Sequence, residues 1–300
     1  MEYDETIAAA FQPSPAGAEA DPSHNPSPAR RFRDAIEPIA MHSVWSRGTN
    51  EAQAALGLDF MTGYVMGRSA LMGRPAPGVV TAAFAVFEPS LVQGVYEQAR
   101  ALCQRDELWA TRTTSTTASL TDTLAGADVA EVANALQGAV TSAPMTGRPL
   151  FAGLVGQAWP GDPVGRLWRA CELAREHRGD SHVAVCVANG LDPIEMNILT
   201  ELWVGMPLGS YTVTRGWAPK DIAATTARMQ EKGWMDGEAL SPQGLALRTA
   251  IEENTDLLEQ PIIDALGESF DGIVSDLEQW SQLCIDAKAF PPNVFKRAAG

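Results

Sequence analysis

The sequence predicts a mainly helical protein whose single chain folds as two similar halves joined in one molecule. Three observations carry this. Landmarks of the first half return in the second at an offset of 130 to 136 positions. Arg47-Gly48 answers Arg178-Gly179, Leu58-Asp59 answers Leu191-Asp192, Met72-Gly73 answers Leu208-Gly209, Phe87-x-Pro89 answers Trp217-x-Pro219, and Thr121-Asp122-x-Leu124 answers Thr255-Asp256-x-Leu258. Conserved order and near-constant spacing mark an internal repeat. Second, apolar residues recur at helix spacing at the start of both halves, as Phe32, Ile36, Ile39 and Ala40 and as Leu167, Cys171, Leu173 and Ala174. Third, Thr141 to Gly161 is rich in Pro and Gly, which places a boundary there. The expected architecture is an intramolecular pseudo-dimer, with its functional cleft where the two copies meet and differ.

Taken in order, residues 1–29 carry Pro13, Pro15, Pro22, Pro26 and Pro28, five acids and no Lys or Arg, and read as a disordered acidic tail. Residues 30–145 form the first module, with a helix from Arg30, an apolar helix after Asp59, and a helix over Ser90 to Cys103. Residues 146–288 form the second. Asp192 is placed to cap a helix that starts with Pro193 and ends near Gly205. Met206 to Pro219 reads as loop or strand because of Gly209, Thr212, Thr214 and Gly216. Pro219-Lys220-Asp221 opens a helix through Ile222 and Met229 that stops at Gly233. Trp234 to Leu240 reads as a tight hairpin, since Asp236-Gly237 supplies the positive φ angles a two-residue turn needs. Ser241-Pro242 caps the next helix, which runs toward Asn254. Glu252 to Asp286 holds ten acids and no Lys or Arg, and reads as a solvated acidic face. Residues 289–300 close the chain as a tail.

Composition bounds the function. Apolar residues make up 45% and charged residues 20% of the 300, as in soluble globular proteins. The formal charge is −15, from 37 acids against 22 Lys and Arg, so the global field opposes nucleic acid, whose binders displace counterions with cations. Cys103, Cys171, Cys186 and Cys284 lie far apart without a Cys-x-x-Cys pair, which argues against a zinc ribbon and for reduced thiols. The opening Met-Glu-Tyr-Asp-Glu is not a signal peptide and no apolar run approaches a membrane span, so a cytoplasmic protein without membrane contact is expected. No P-loop, no Gly-x-Gly-x-x-Gly fingerprint and no Gly-x-Ser-x-Gly elbow occurs. No cofactor and no metal site is expected.

Helix, small hairpin, helix is the order of a winged helix. Gly233-Trp234 through Leu240-Ser241-Pro242-Gln243-Gly244 resembles the winged helix of MarR-type regulators. Over a longer span, Arg175-Glu176-His177-Arg178-Gly179-Asp180-Ser181-His182-Val183, Arg215-Gly216-Trp217 and Leu247-Arg248-x-x-Ile251-Glu252-x-x-Thr255-Asp256 resemble an actinobacterial family of helix-turn-helix-like proteins. Gly67-Arg68-Ser69-Ala70-Leu71-Met72-Gly73 and Phe87-Glu88-Pro89 fit the same family in the first half. The resemblance covers residues 31 to 285. It implies two winged-helix-like modules and a setting in natural-product gene clusters. This chain departs from the MarR pattern in having only Met206 to Pro219 where a scaffold helix belongs. The helix that would read DNA offers Lys220, Arg228 and Lys232 but sets Asp221 and Glu231 among them. The matching helix of the first half carries only Arg100.

Differences between the copies point to a site. His177, Asp180 and His182 align with Ser46, Thr49 and Glu51, adding ionisable groups to one copy. They flank a Gly179-Asp180 turn, which would put both imidazoles on one side of a helix junction for acid/base work near neutral pH. The plainer alternative has Asp180 capping a helix that starts at Ser181. Arg68 lies in an otherwise apolar stretch, where it needs either a carboxylate such as Glu88 or an anionic or carbonyl-bearing ligand. Tyr64, Phe87, Trp203 and Trp217 can serve the core or wall a pocket. The leading expectation is a small-molecule-binding protein of secondary metabolism, as a pure binder or a cofactor-independent tailoring enzyme, in a cleft between the modules. The alternative is a ligand-responsive transcription regulator, with DNA the less favoured partner. A scaffold protein whose acidic C-terminal helices meet a basic partner is a third. The residues do not decide between monomer and homodimer, nor between binding and turnover.

Overall fold

The computed structural model describes residues 3–14 and 27–299. The chain is mainly helical. The segment expected to be disordered falls partly outside the described residues, at 1–2 and 15–26. Within them, α1 (Tyr3–Ala10) is a helix rather than open chain, because it has a dock. The Tyr3 hydroxyl donates to the Trp45 carbonyl at 2.8 Å, and Phe11 meets the Trp45 ring edge-on.

The first half comprises α2 (Pro28–Ala40), α3 (His42–Trp45), α4 (Arg47–Ala54), α5 (Phe60–Ser69), α6 (Pro77–Phe84), α7 (Pro89–Leu102), α8 (Arg105–Leu124) and α9 (Ala130–Thr141), and α10 (Pro149–Val155) stands in the boundary stretch after it. The second comprises α11 (Pro163–Ala188), α12 (Pro193–Trp203), α13 (Pro219–Glu231), the hairpin of β1 (Met235–Asp236) and β2 (Ala239–Leu240), α14 (Pro242–Leu266), α15 (Phe270–Asp286) and α16 (Val294–Ala299). Local sequence grammar explains most starts. Asp59 caps α5 by accepting from the Thr62 amide. Asp192 and Glu195 form a reciprocal capping box at α12, with Pro193 in the first turn. Ser241 caps α14 by accepting from the Gly244 amide. The hairpin pairs Met235 with Leu240 and Asp236 with Ala239, and Gly237 takes a φ of +61° at its turn.

Three of the five landmark pairs occupy similar local places, whereas Arg47-Gly48 opens α4 and Arg178-Gly179 lies inside α11. Asp59 and Asp192 are both N-caps, Gly73 and Gly209 both adopt positive φ, and Pro89 and Pro219 both open helices. Packing is reciprocal as well. α9 of the first half lies on α11, the opening helix of the second, while α15 of the second lies on α2, the opening helix of the first. α2 and α11 pack on each other at the centre, and Trp168 Nε1 donates to the Ala40 carbonyl between them. One large core runs through α2, α8, α9, α10, α11, α14 and α15, with smaller cores around α5 to α7 and around α12, α13 and the hairpin.

Four expectations need correction. Gly179-Asp180 is no turn: α11 runs unbroken from Pro163 to Ala188, because the neighbouring side chains are fixed by distant partners on α10 and α14. Met206 to Pro219 is neither open loop nor strand throughout, since Thr212–Arg215 forms a 3₁₀ turn. Glu201 on α12 anchors it by accepting from the Tyr211 and Thr212 amides. The first half has no wing: α7 and α8 are separated by Cys103 and Gln104, and β1 and β2 are the only strands among the described residues. The stretch from Glu252 is not a uniformly solvated face, because Glu252 and Glu259 are buried against basic partners of α2 and α11.

Candidate functional site

A cavity of about 660 Å³ opens between elements of both halves. α2, α5 and α6 supply part of its wall, and α11, α12 and α14 supply another, while α1 and α16 lie over it. The terminal helices are tied together there: the Ser14 hydroxyl accepts from the Val294 amide, and Lys296 Nζ donates to the Ala10 carbonyl. Arg30, Arg33, Arg68, Arg175, Arg178, Arg215, Arg248 and Lys296 line the cavity, against Glu37, Asp180 and Glu252. In a chain of net charge −15 this concentrates over a third of its 22 cations in one interior space.

One pole is built on Glu252 of α14. Its Oε1 accepts from Arg30 at 3.0 Å and Arg178 at 2.6 Å, and its Oε2 accepts from Arg248 at 2.8 Å. Burial alone would raise this carboxyl, but the three guanidiniums hold it well below the ordinary carboxylate range. Trp203 stands behind as a platform, its ring centroid 4.1 Å from the Arg248 guanidinium and 5.8 Å from that of Arg30. A second group crosses from α5 to α11. Arg68 grips Glu176 bidentately at 2.6 and 3.1 Å and touches the Tyr64 hydroxyl at 3.3 Å. Arg175 joins Glu37 at 3.1 Å to Glu176 at 3.0 Å. Arg68 and Arg175 keep the Glu176 carboxyl low despite its burial.

The aromatic wall comes from a junction of matching segments. Ala85 holds φ at +36°, rare for a side-chain-bearing residue, and turns the chain from α6 toward Phe87. The Val86 carbonyl then accepts from both Asn197 Nδ2 and Trp217 Nε1, at 2.8 and 2.9 Å, while the Glu88 amide donates to the Arg215 carbonyl at 2.9 Å. Arg215 lies over the Tyr211 and Phe87 rings at 4.0 and 5.0 Å.

The structure brings together Arg68, Tyr64, Phe87, Asp180 and His182, all of which line the cavity. It does not bring His177, Trp203 or Trp217 to that surface. His177 is fully buried, with Nδ1 2.6 Å from Glu259 Oε1 and its ring edge-on to Phe151. His177 and His182 therefore do not face one space. Arg68 is paired with Glu176, not Glu88, whose carboxylate instead caps α7. Asp180 caps a helix other than the one expected: its Oδ2 accepts from the Leu150 and Phe151 amides at the start of α10. Burial pushes its carboxyl up to about 7 against the pull of these amides. Burial, and then Arg248, push the His182 imidazole down to about 3. Its Nδ1 lies 3.3 Å from the Thr255 hydroxyl and its Nε2 3.5 Å from Cys186 Sγ.

Sequence reasoning missed Arg30, Arg178, Arg248 and Glu252 as site residues. A usable signal existed in α14, where Gly244, Arg248, Ile251, Thr255, Glu259 and Ile262 form one buried stripe at helix spacing. A charge inside such a stripe must have a buried partner. Among the described residues no cluster of three or more His, Cys, Asp or Glu could hold a metal ion, and no helix is long and apolar enough to cross a membrane.

A helix-turn-helix family matches residues 29–291. The chain belongs to that helix-turn-helix family. The match spans both halves and the cavity between them. No curated protein and no solved structure matches the chain significantly. The helix that the sequence offered as a DNA reader is α13. Lys220 is exposed, but Arg228 Nη2 is bonded to Asp192 at 2.7 Å and Lys232 Nζ to Glu195 at 2.5 Å, with Lys232 also over the Trp234 ring.

Proposed function

We propose that this helix-turn-helix protein binds a small molecule in the cavity between its halves and serves secondary metabolism. The observation that carries the binding site is the concentration of eight cations and several aromatic rings around an interior space in an acidic chain. The metabolic setting rests on the resemblance to actinobacterial helix-turn-helix-like proteins of natural-product clusters. A duplication, giving an intramolecular pseudo-dimer of winged-helix-like modules, is supported by the paired caps, glycines and prolines and by the reciprocal packing of α9 on α11 and α15 on α2. In that reading the second half kept its wing and the first lost it.

Turnover without a cofactor would fall to Asp180. Its carboxyl lies near 7, where a group can both take and give a proton, whereas a His182 imidazole near 3 is a weak base. His177 would act only by holding Glu259 in place.

Gly179 offers a clean test of the site. It lines the cavity in mid-α11 with helical backbone, and a Cβ built there meets nothing within 4 Å. Gly179→Trp should therefore project an indole into the cavity from an unobstructed Cβ and gain about half a kcal/mol in helix propensity. Small aromatic compounds should raise the melting temperature of the wild type and not of this variant. Equal shifts in both proteins, or none in either, would defeat the reading.

Family membership favours a second reading, a ligand-responsive regulator whose α13 meets DNA through Lys220, Arg228 and Lys232. Gel-shift binding that weakens steeply with salt, and is lost on Lys220→Glu with Arg228→Glu, supports it. Absence of binding at low salt sinks it.

A further inference from the structure

We propose that the ligand carries one acid group on a flat apolar body, and that Arg215 and Lys296 hold this acid group at the end of the cavity closed by α16. This rests on the reading of the cavity as a binding site and adds where the ligand is anchored and by what charge. The eight cations that line the cavity fall into two classes. Arg30, Arg33, Arg68, Arg175, Arg178 and Arg248 each have a carboxylate partner within the chain. Arg215 and Lys296 meet only neutral oxygens among the described residues: Arg215 Nη1 donates to the Thr214 hydroxyl at 2.9 Å, and Lys296 Nζ to the Ala10 carbonyl at 2.9 Å. In a chain with 37 acids, these two cations of an interior space are left without a counter-ion.

The fold presses the two together. Phe295, next to Lys296, shares with Tyr211 the small core of Trp203, Val204 and Met206, and the Arg215 guanidinium lies 4.0 Å over the Tyr211 ring. Burial, and then the charge of Arg215, hold the Lys296 amine below its ordinary value. An anion between two such charges relieves their repulsion. Both residues are partly exposed, so an incoming oxygen can reach them. Arg215 Nε is closed off, which leaves the Nη edge of the guanidinium and the ammonium as the donors. The other six cations are already neutralised and give a second acid group no equal partner. Phe87, Tyr211 and Phe295 line the cavity beside the pair, and their rings favour a flat apolar body.

The test is a fluorescence titration of the full chain with 8-anilinonaphthalene-1-sulfonate and with N-phenyl-1-naphthylamine, the same ring body without its acid group. The wild type should bind the sulfonate more tightly. Lys296→Met and Arg215→Gln should each lower the ratio of the two affinities about tenfold. Neither variant breaks an internal ion pair, so both should fold. Lys296→Arg, which keeps the charge, should preserve the ratio. Arg74→Gln, which removes a surface cation that does not line the cavity, should also preserve it. A wild type that binds both probes alike, a ratio unmoved by either Lys296→Met or Arg215→Gln, or an equal fall in Arg74→Gln overturns the anchor while leaving the cavity a binding site. Failure of both probes to bind defeats the site itself and the inference with it.

Discussion

His182 is buried among Arg248, Glu252, Arg178 and Arg30, and its proton affinity is lowered first by that burial and then by Arg248. Its folded value, near 3, lies below the ordinary 6.5, so the unfolded chain takes up a proton first as pH falls. The stability it protects is complete above about 6.5 and drains away as pH drops toward 3. The stability difference between wild type and His182→Gln should therefore shrink by about 2 to 3 kcal/mol from pH 7 to pH 4, measured by urea unfolding. Asp180 runs the other way: with its carboxyl raised to about 7, the stability it supports is present at low pH and declines as pH rises through 7. Removing the shared counter-ion is more severe. Glu252→Gln leaves three buried guanidiniums short of one carboxylate and should cost about 3 to 5 kcal/mol. Arg68 was legible as a charge in an apolar stretch. Glu252 was not, because its acidic neighbourhood reads as a solvated face, and its partner Arg30 is separated from it by 222 positions.

Helix starts were the most legible elements, since Asp192, Pro193 and Glu195 spell a capping box and Asp236-Gly237 spells the hairpin. Asp192→Ala should cost about 1 to 2 kcal/mol, read from thermal unfolding, through loss of the cap and of the Arg228 contact. The hairpin depends on one close approach. A Cβ on Gly244 would lie 2.0 Å from the Trp234 carbonyl oxygen, so Gly244→Ala should push the hairpin off α14, at about 1 to 3 kcal/mol. Protection of the Ser241 amide from exchange, which rests on its bond to the Trp234 carbonyl, should fall in the same variant. α11 was misread in its middle for a physical reason. Gly179 and Asp180 weaken helix propensity locally, yet tertiary bonds from Asp180 to α10 and from Arg178 to α14 outweigh that weakness.

At the scale of the molecule, the halves are interlocked rather than set side by side. Each lends its late helix to the opening helix of the other, α9 to α11 and α15 to α2. Residues 27–142 expressed alone leave α2 without α15 and α9 without α11, so this fragment should lack cooperative unfolding by circular dichroism. The intact chain should unfold in a single transition across its large core. The paired caps, glycines and prolines were legible from the sequence because each carries its own local signature. The crossing of helices was not, since a spacing records likeness between segments and not which of them touch. The knot of Ser14 with Val294 has its own implication for protein engineering. A circular permutant that bridges the two ends beside α1 and α16 and opens the chain between Pro144 and Gly147 would sever no helix, and every interface described above would survive the new connectivity.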